Sequence, residues 1–188
     1  DPASSPDDRA DLGFALGQIL DRVGAYDDAF AAYRAANTAS AQVKTQGGFA
    51  YNRNAESAYT DRLIAAFDHG DTSDTEEKPL FICGMYRSGS TLAEQILSRH
   101  SRVTMGGELD LVPSNLIAAF DRYPENAATA GQSKLADLRA AYLAELEKRF
   151  PGSEIVTDKR PANFRHIGLI KRVFPGVKIV DTLRDPID

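Results

Sequence analysis

The N-terminal part of the chain carries apolar residues with the period of an α-helix. From Asp11 onward they recur every three or four positions up to Val23, and Gly24 interrupts the run. A second run with the same period begins at Tyr26, and a third covers roughly 49–67. We therefore predict two antiparallel helices joined at Gly24 and covered by a third helix.

A different pattern begins at Pro79, where short apolar runs alternate with helical periods. In the first of the helical segments we expect Leu92, Ile96 and Leu97 to face the core. Alternating strands and helices predict an α/β fold with a parallel, doubly wound sheet flanked by helices. The predicted strands are 80–83, 103–105, 155–156 and 177–183, and the predicted helices are 91–100, 113–120, 133–150 and 164–174.

Composition changes along the chain and divides it into segments. Residues 1–8 are rich in Asp, Ser and Pro and are predicted to form a disordered tail. Residues 69–78 are polar and acidic, have no period, and are predicted to be a linker. The predicted domains are therefore a helical module at 9–68 and an α/β core at 79–188.

The composition excludes several classes of protein. No apolar run is long enough to span a membrane, and the net charge of −5 argues against a protein that coats nucleic acid or an anionic membrane. Cys83 is the only cysteine, which excludes an internal disulfide and a multi-cysteine zinc site. We expect a cytoplasmic protein that binds neither nucleic acid nor membrane.

The charge is distributed unevenly. Residues 1–78 contain 14 acidic and 7 basic residues, a net charge of −7, whereas residues 79–188 contain 13 acidic and 15 basic residues, a net charge of +2. We therefore expect an anionic ligand to bind the second part of the chain.

The order of residue sizes in the helical hairpin resembles one tetratricopeptide (TPR) repeat of about 34 residues. Gly17 and Ala29 are small where two helices must approach closely, and Tyr26 and Tyr33 fill the space beside them. The usual closing proline is absent, since Ala41 stands near its place. An unrelated helical hairpin is the alternative. The resemblance implies a protein partner for the TPR-like helices, unless they only pack on the core.

A glycine-rich loop follows the first predicted strand and precedes a predicted helix. Its spacing is that of a P-loop, G-x-x-x-x-G-x-[ST], with Gly84, Gly89 and Thr91 in register. Backbone amides near Gly89 and the start of the helix offer hydrogen-bond donors to a dianion. However, Ser90 occupies the position of the Walker lysine, and the cation Arg87 comes earlier in the loop. The missing lysine argues against magnesium-dependent hydrolysis of a nucleoside triphosphate.

Four segments, in this order, resemble the motifs of sulfotransferases that use 3′-phosphoadenosine 5′-phosphosulfate (PAPS). They are the loop segment 79–92, the segment 94–109 with its G-G-E sequence, D-K-R-P-A-N-F at 158–164 and R-D-P at 184–186. The 21 positions from Arg87 to Glu108 resemble the branch that includes tyrosylprotein sulfotransferases and bacterial sulfotransferases fused to TPR repeats. The resemblance implies a sulfotransferase fold with a P-loop-like parallel sheet, preceded by a small all-α TPR-like hairpin.

The resemblance also implies roles for individual residues. Glu108 is implied as the general base, Lys159 as the cation at the bridging oxygen, and Arg87 as a second cation there. Arg184 is implied in binding the 3′-phosphate. No metal ion is expected, because protein cations can supply the electrostatic stabilisation. The cofactor-binding residues implied are Arg87, Ser88, Gly89, Ser90, Thr91 and Arg184.

On the residues alone, these positions have plainer interpretations. Glu108 can be a surface glutamate after a turn, Lys159 a solvated cation, and Arg184 the partner of Asp185 in a salt bridge. Asp110 is interpreted as structural or as facing the substrate. Arg160 is expected at the rim or in solvent, Cys83 in the core, and His69, His100 and His166 lack metal-ligand spacing.

We therefore expect a PAPS-dependent enzyme that moves a sulfuryl group by in-line transfer to a hydroxyl or amine of a peptide, a carbohydrate or a small molecule. The product of the donor is 3′,5′-ADP (PAP). Two alternatives stay open: a nucleotide kinase or NTPase with an altered P-loop, and a non-catalytic TPR and nucleotide-binding interaction module. The family has a serine several residues after R-D-P that completes the site, and it is missing here because the sequence stops at Asp188. We expect an α/β core that is incomplete at its C-terminal end, and a fragment that can be inactive as it stands.

Overall fold

The computed structural model describes residues 5–46, 51–67 and 76–185. The chain divides into two units, Asp1–Asn54 and Ala55–Asp188. The elements are α1 (Pro6–Arg22), α2 (Tyr26–Gln46), α3 (Arg53–Ala66), β1 (Pro79–Gly84), α4 (Ser90–Leu97), β2 (Val103–Thr104), a π-helix (Val112–Ile117), α5 (Glu125–Ala128), α6 (Gln132–Arg149), β3 (Ile155–Asp158), a 3₁₀ helix (Pro161–His166), α7 (Ile167–Val173) and β4 (Lys178–Thr182).

Helices α1 and α2 form an antiparallel hairpin in the first unit. A Cβ on Gly17 would lie 2.5 Å from the ring of Tyr33, and Ala29 is buried. The close helix approach predicted at these small residues is therefore present, while the TPR resemblance stays a prediction. The larger apolar residues of the hairpin remain mostly exposed, namely Leu12, Leu16, Ile19, Val23, Tyr26 and Phe30.

Helix α1 begins inside the segment that the sequence predicts as a disordered tail. Ser5 is its N-cap, and the Ser5 Oγ accepts a hydrogen bond from the backbone N–H of Asp8 at 3.1 Å. Pro6 occupies the first turn, where a fixed φ and a missing N–H are compatible with a helix. Residues 6–8 are therefore helical, and residues 1–4 of the predicted tail lie outside the described residues.

Helix α3 packs on the α/β unit. Arg62 Nε lies 2.7 Å from Glu125 Oε1, and Arg165 Nη2 lies 2.7 Å from Glu56 Oε2. Most of α3 therefore belongs to the second unit, Ala55–Asp188. The physical reason is that its charged side chains find partners near α5 and the 3₁₀ helix. Most of the predicted linker, 69–75, lies outside the described residues.

The second unit is built around a four-stranded parallel sheet with the order β2-β3-β1-β4. In the register, Phe81 of β1 pairs with Asp158 of β3, and Gly84 pairs with Thr182 of β4. Because the strands are parallel, their carboxyl ends meet at one edge, where ligands bind in open α/β sheets. The predicted α/β fold with a parallel sheet and a preceding helical hairpin is confirmed.

The core lies between the sheet and helices α6 and α7. Phe81, Tyr142 and Phe174 are fully buried, with ring centroids 5.2 to 6.3 Å apart. Cys83 is buried as predicted, and burial raises the pKa of its thiol to about 11. The core therefore packs beneath the strands whose carboxyl ends carry the motifs. Within the described ranges, no helix combines the length and hydrophobicity needed to cross a membrane.

Candidate active site

The loop after β1 is held against β4. Gly84 has a φ of +136°, and a Cβ there would lie 2.3 Å from the backbone oxygen of Thr182. A side chain does not fit at this position. The Ser88 hydroxyl donates to the backbone oxygen of Met85 at 2.6 Å, and its oxygen lies 2.7 Å from Thr182 Oγ1. Ser88 therefore ties the loop to the end of β4.

The same loop leads into helix α4 with two residues in the left-handed region. Arg87 has a φ of +67° and Gly89 a φ of +96°, and the helix begins at Ser90. The first N–H groups of a helix have no acceptor within the helix and carry partial positive charge. The exposed Arg87 adds a full charge beside them. The start of α4 is therefore suited to an anionic group.

The loop after β2 returns across the end of β3. A Cβ on Gly106 would lie 2.0 Å from the backbone oxygen of Thr157, and the Gly106 N–H donates to Thr157 Oγ1 at 2.9 Å. Gly107 has a φ of +70°, and its carbonyl accepts a hydrogen bond from the N–H of Lys159 at 2.8 Å. The two glycines are therefore needed for the close approach and for the turn that precedes Glu108.

Glu108 and Lys159 form an ion pair, with Oε1 2.9 Å from Nζ. The Lys159 side chain is 9% exposed and that of Glu108 is 57% exposed. The ammonium is thus held in the protein while the carboxylate faces outward. An ammonium has three N–H donors, so Lys159 keeps two for other acceptors. The structure brings the predicted base and the predicted cation into direct contact.

A cleft at the carboxyl edge unites four segments of the chain, one of which contributes Pro161 after β3. The loop after β1 and the first turn of α4 line one side, Glu108 comes from the loop after β2, and Arg184 follows β4. Arg87 and Arg184 also line a neighbouring cavity together with Ser88. Glu108 forms the ion pair with Lys159. The cleft is lined by Tyr86, Arg87, Gly89, Ser90, Thr91, Leu92, Gln95, Glu108, Pro161 and Arg184.

Asp158, next to Lys159, is a buried carboxyl with hydrogen bonds to both oxygens. The Tyr142 hydroxyl donates to Oδ2 at 2.6 Å, and the Asn163 amide donates to Oδ1 at 3.2 Å. Burial raises the pKa of Asp158 to about 7, although these hydrogen bonds and one from the backbone N–H of Leu109 act to lower it. Asp158 therefore joins α6, the 3₁₀ helix and the loop of Glu108 beneath the cleft.

Helix α4 turns a different face inward than the sequence pattern predicts. Leu92 is 61% and Ile96 63% exposed, whereas Glu94 is 1% exposed. The prediction that Leu92 and Ile96 face the core is wrong, because the inward face meets polar loop backbone and not the apolar core. The spacing of Ser90, Glu94 and Leu97 was the available signal for this face.

The sequence pattern does not reveal the contacts that Glu94 makes. Its Oε1 accepts hydrogen bonds from the Gly107 N–H at 3.0 Å and from the Thr157 hydroxyl at 2.5 Å. Glu94 therefore connects helix α4 with the loop that carries Glu108 and with strand β3.

Two further polar residues near the site, Arg160 and His166, have structural partners. Arg160, expected in solvent or at the rim, forms an ion pair with Asp110 and is partly exposed. His166 Nδ1 lies 3.0 Å from the Tyr123 hydroxyl, and burial lowers the pKa of His166 to about 4. Among the residues with described positions, no group of three or more His, Cys, Asp or Glu side chains is arranged to hold a metal ion.

Comparison with known proteins supplies independent information. The sequence model of a family described as "Sulfotransferase family" matches residues 79–188, more than half of the chain. An uncharacterized protein of Aquifex aeolicus (strain VF5) is 31% identical over 201 residues, which cover 100% of this chain and 26% of the relative. A Caenorhabditis briggsae protein named "Putative protein-tyrosine sulfotransferase" is 30% identical over 112 residues, 58% of this chain and 40% of the relative. The chain thus spans less than half the length of either relative.

Proposed function

The chain belongs to the sulfotransferase family, and we propose that it transfers a sulfuryl group from PAPS to a hydroxyl or amine acceptor. The observation that carries the proposal is the cleft at the carboxyl edge of the sheet. There the start of α4, the cations Arg87 and Arg184, and the carboxylate Glu108 border one space, and Glu108 is ion-paired with the buried Lys159 behind it.

The cleft has the features that a donor with two anionic groups requires. Arg87 and the first turn of α4 suit the 5′-phosphosulfate, and Arg184 suits the 3′-phosphate. The position of a Cβ on Gly89 has no atom within 4 Å, which leaves open space beside these donors. Among the described residues that line the cleft, Glu108 is the acidic one, and its charge is paired with Lys159.

The residues of the chain divide the chemistry between them. PAPS supplies the sulfuryl group: a bond forms between its sulfur and the acceptor atom, while the bond from sulfur to the bridging oxygen breaks. Glu108 accepts the proton of the acceptor. Lys159 donates a hydrogen bond to the bridging oxygen, which keeps the electron pair and leaves as part of PAP. One Lys159 N–H can donate to Glu108, which leaves the other two to donate to the bridging oxygen.

A binding titration tests the donor. In isothermal calorimetry, PAP should bind equally well with and without magnesium, and Arg87→Ala should weaken its affinity by about tenfold or more, because it removes a charge-assisted hydrogen bond. Lys148→Gln, which removes an exposed cation of α6, serves as the matched control and should leave the affinity unchanged.

A transfer assay tests the reaction. The chain should move labelled sulfate from PAPS to one of a panel of peptide tyrosines, carbohydrates and small alcohols or amines. Preference for ATP with magnesium over PAP, or turnover of ATP in place of PAPS, would identify a kinase or NTPase with an altered P-loop. Binding of PAP without transfer to any acceptor, also in a longer chain that includes the serine that the family places after R-D-P, would favour a nucleotide-binding interaction module.

A further inference from the structure

We propose that Glu94 is a positioning residue for the reaction, because it holds the loop of Glu108 in place from helix α4. The side chain is 1% exposed and does not line the cleft. The inference rests on the proposed function for its kinetic readout.

The segment 106–108 is anchored at each of its first two residues. The Gly106 N–H donates to the Thr157 hydroxyl at 2.9 Å, and the Gly107 carbonyl accepts from the N–H of Lys159 at 2.8 Å. Both anchors come from β3 and the residue after it. The Gly107 N–H, in contrast, donates to Glu94 at 3.0 Å. Glu94 thus supplies the anchor that comes from helix α4.

Glu94 also orients the hydroxyl that holds Gly106. The Thr157 hydroxyl donates to Glu94 Oε1 at 2.5 Å, which leaves the lone pairs of Thr157 Oγ1 free to accept from Gly106. One carboxylate oxygen therefore acts on two consecutive residues of the loop. Because the loop continues directly into Glu108, these contacts fix the position of the backbone from which the Glu108 side chain extends.

A buried carboxylate is energetically unfavourable at this position unless it is hydrogen-bonded. A helix face of this kind is ordinarily filled by an apolar side chain. Leu92 and Ile96 of the same helix are instead exposed. The donors that Glu94 meets belong to the loop of Glu108 and to the strand that leads to Lys159. It therefore links the phosphate-binding helix to both proposed catalytic residues.

The test compares three variants of the full chain. Glu94→Ala should lower kcat by about 10- to 100-fold, because a displacement of the base by about 1 Å has an effect of that size. The affinity for PAP should change by less than about threefold, since the lost hydrogen bonds do not involve the cleft cations. Glu94→Gln should keep most of the activity, because its amide oxygen can accept both hydrogen bonds.

Glu77→Ala is the matched control. Glu77 is also a buried carboxylate, and it pairs with Arg139 at 2.5 Å, outside the cleft lining. Its removal should destabilise the fold while leaving kcat unchanged. If Glu94→Ala does not fold, Glu94→Asp replaces it, since it keeps the charge but withdraws the oxygens by one methylene. Equal kcat for Glu77→Ala and for Glu94→Ala, or for Glu94→Asp where it replaces that variant, would overturn the inference. A loss of PAP affinity as large as the loss of kcat would overturn it as well.

Hydrogen exchange separates this inference from the proposed function. The backbone amides of 106–108 should exchange faster in Glu94→Ala than in the wild type and in Glu77→Ala, because the Gly107 N–H loses its acceptor. Unchanged exchange there would overturn the positioning role. If the wild-type chain transfers no sulfuryl group to any acceptor, the proposed function fails, whereas the exchange measurement still decides whether Glu94 holds the loop.

Discussion

At the scale of single residues, the ion pair between Glu108 and Lys159 joins two proposed roles in one contact. The ammonium is nearly enclosed by protein, and the carboxylate is more than half exposed at the cleft. The lysine therefore acts as a fixed point, and the glutamate is the partner that can meet an acceptor. Removing the carboxylate leaves a nearly buried ammonium without its counter-charge, whereas removing the ammonium leaves a carboxylate that is more than half exposed to water. The two substitutions should therefore differ in effect.

We expect Glu108→Gln to lower kcat by about 10²- to 10⁴-fold, the usual contribution of a general base. The amide keeps a hydrogen-bond acceptor for Lys159, so the affinity for PAP measured by calorimetry should stay within about threefold of the wild type. Glu145→Gln, a change on α6 that removes ion pairs with Lys148 and Arg149, is the control and should leave kcat unchanged. A Glu108→Gln variant with wild-type kcat would remove Glu108 from the role of base.

Asp158 should make the folded chain less stable as the pH rises. Burial raises its pKa from 3.8 to about 7 in the folded chain. Between these values the folded state holds a proton that the unfolded state has lost, so the free energy of unfolding falls as the pH rises. We expect Asp158→Asn to gain stability relative to the wild type across this range, by on the order of a few kcal/mol.

The measurement is urea unfolding of both proteins at several values between about pH 4 and about pH 8. His166 contributes the opposite slope, because its pKa is lowered to about 4 and the unfolded state binds the proton first as the pH falls. Since His166 is present in both proteins, its contribution cancels in the difference. A difference in unfolding free energy that stays constant with pH would contradict the assignment to Asp158.

At the scale of elements, helix α4 illustrates what a local pattern can and cannot predict. Its existence and approximate ends follow from apolar spacing, and the structure has the helix at Ser90–Leu97. Its orientation does not follow, because the helix has an apolar face with Leu92 and Ile96 and a second face with Glu94. Hydrogen bonds from Gly107 and Thr157, 13 and 63 residues away in sequence, compensate for the burial of Glu94. A local pattern does not contain those partners.

The approach of the 106–108 loop to β3 makes a prediction at this scale. A Cβ in Gly106→Ala would lie 2.0 Å from a backbone oxygen and 3.1 Å from Val156 Cγ1, so the loop or the strand must move. We expect a loss of unfolding free energy of about 1 to 3 kcal/mol, the usual effect of overpacking, together with a large loss of transfer activity. Denaturant unfolding and the PAPS assay measure the two effects.

Gly131→Ala is the control for this substitution. Gly131 precedes α6 with a φ of −71°, and a Cβ there would have no atom within 4 Å. Its replacement should cost less than about 1 kcal/mol, the effect of alanine at an N-cap, and should leave activity unchanged. Equal destabilisation by the two substitutions would show that the contact at Gly106 is not as close as described.

At the scale of the whole molecule, the sequence predicts where the motifs meet better than it predicts the packing around them. Four motifs follow four strands of a parallel sheet, so their meeting at one edge follows from the fold class alone. The contact between Glu108 and Lys159 depends on how two distant loops close over β3. The position of α3 depends on long-range pairs such as Arg62–Glu125 and Arg165–Glu56. Such pairings arise only from the folded chain.

The charge distribution makes the last prediction. The chain has a net charge of −5, yet residues 79–188 carry +2, and the exposed cations Arg87 and Arg184 line one cleft. Salt screens exposed charges, so we expect the affinity for PAP to fall on the order of tenfold between about 0.05 M and about 0.5 M ionic strength. Arg184→Ala should weaken the affinity and flatten this dependence, because it removes one of the screened charges.

Calorimetry over a series of salt concentrations measures both effects, with Lys148→Gln as a control that changes the net charge by the same amount away from the cleft lining. If the affinity responds to local charge, only the Arg184 variant loses salt dependence. If it responds to net charge, the two variants change alike, and the proposed convergence of Arg87 and Arg184 on one anion is wrong. An affinity independent of salt in the wild type would count equally against it, because exposed guanidinium groups cannot bind a multivalent anion without being screened.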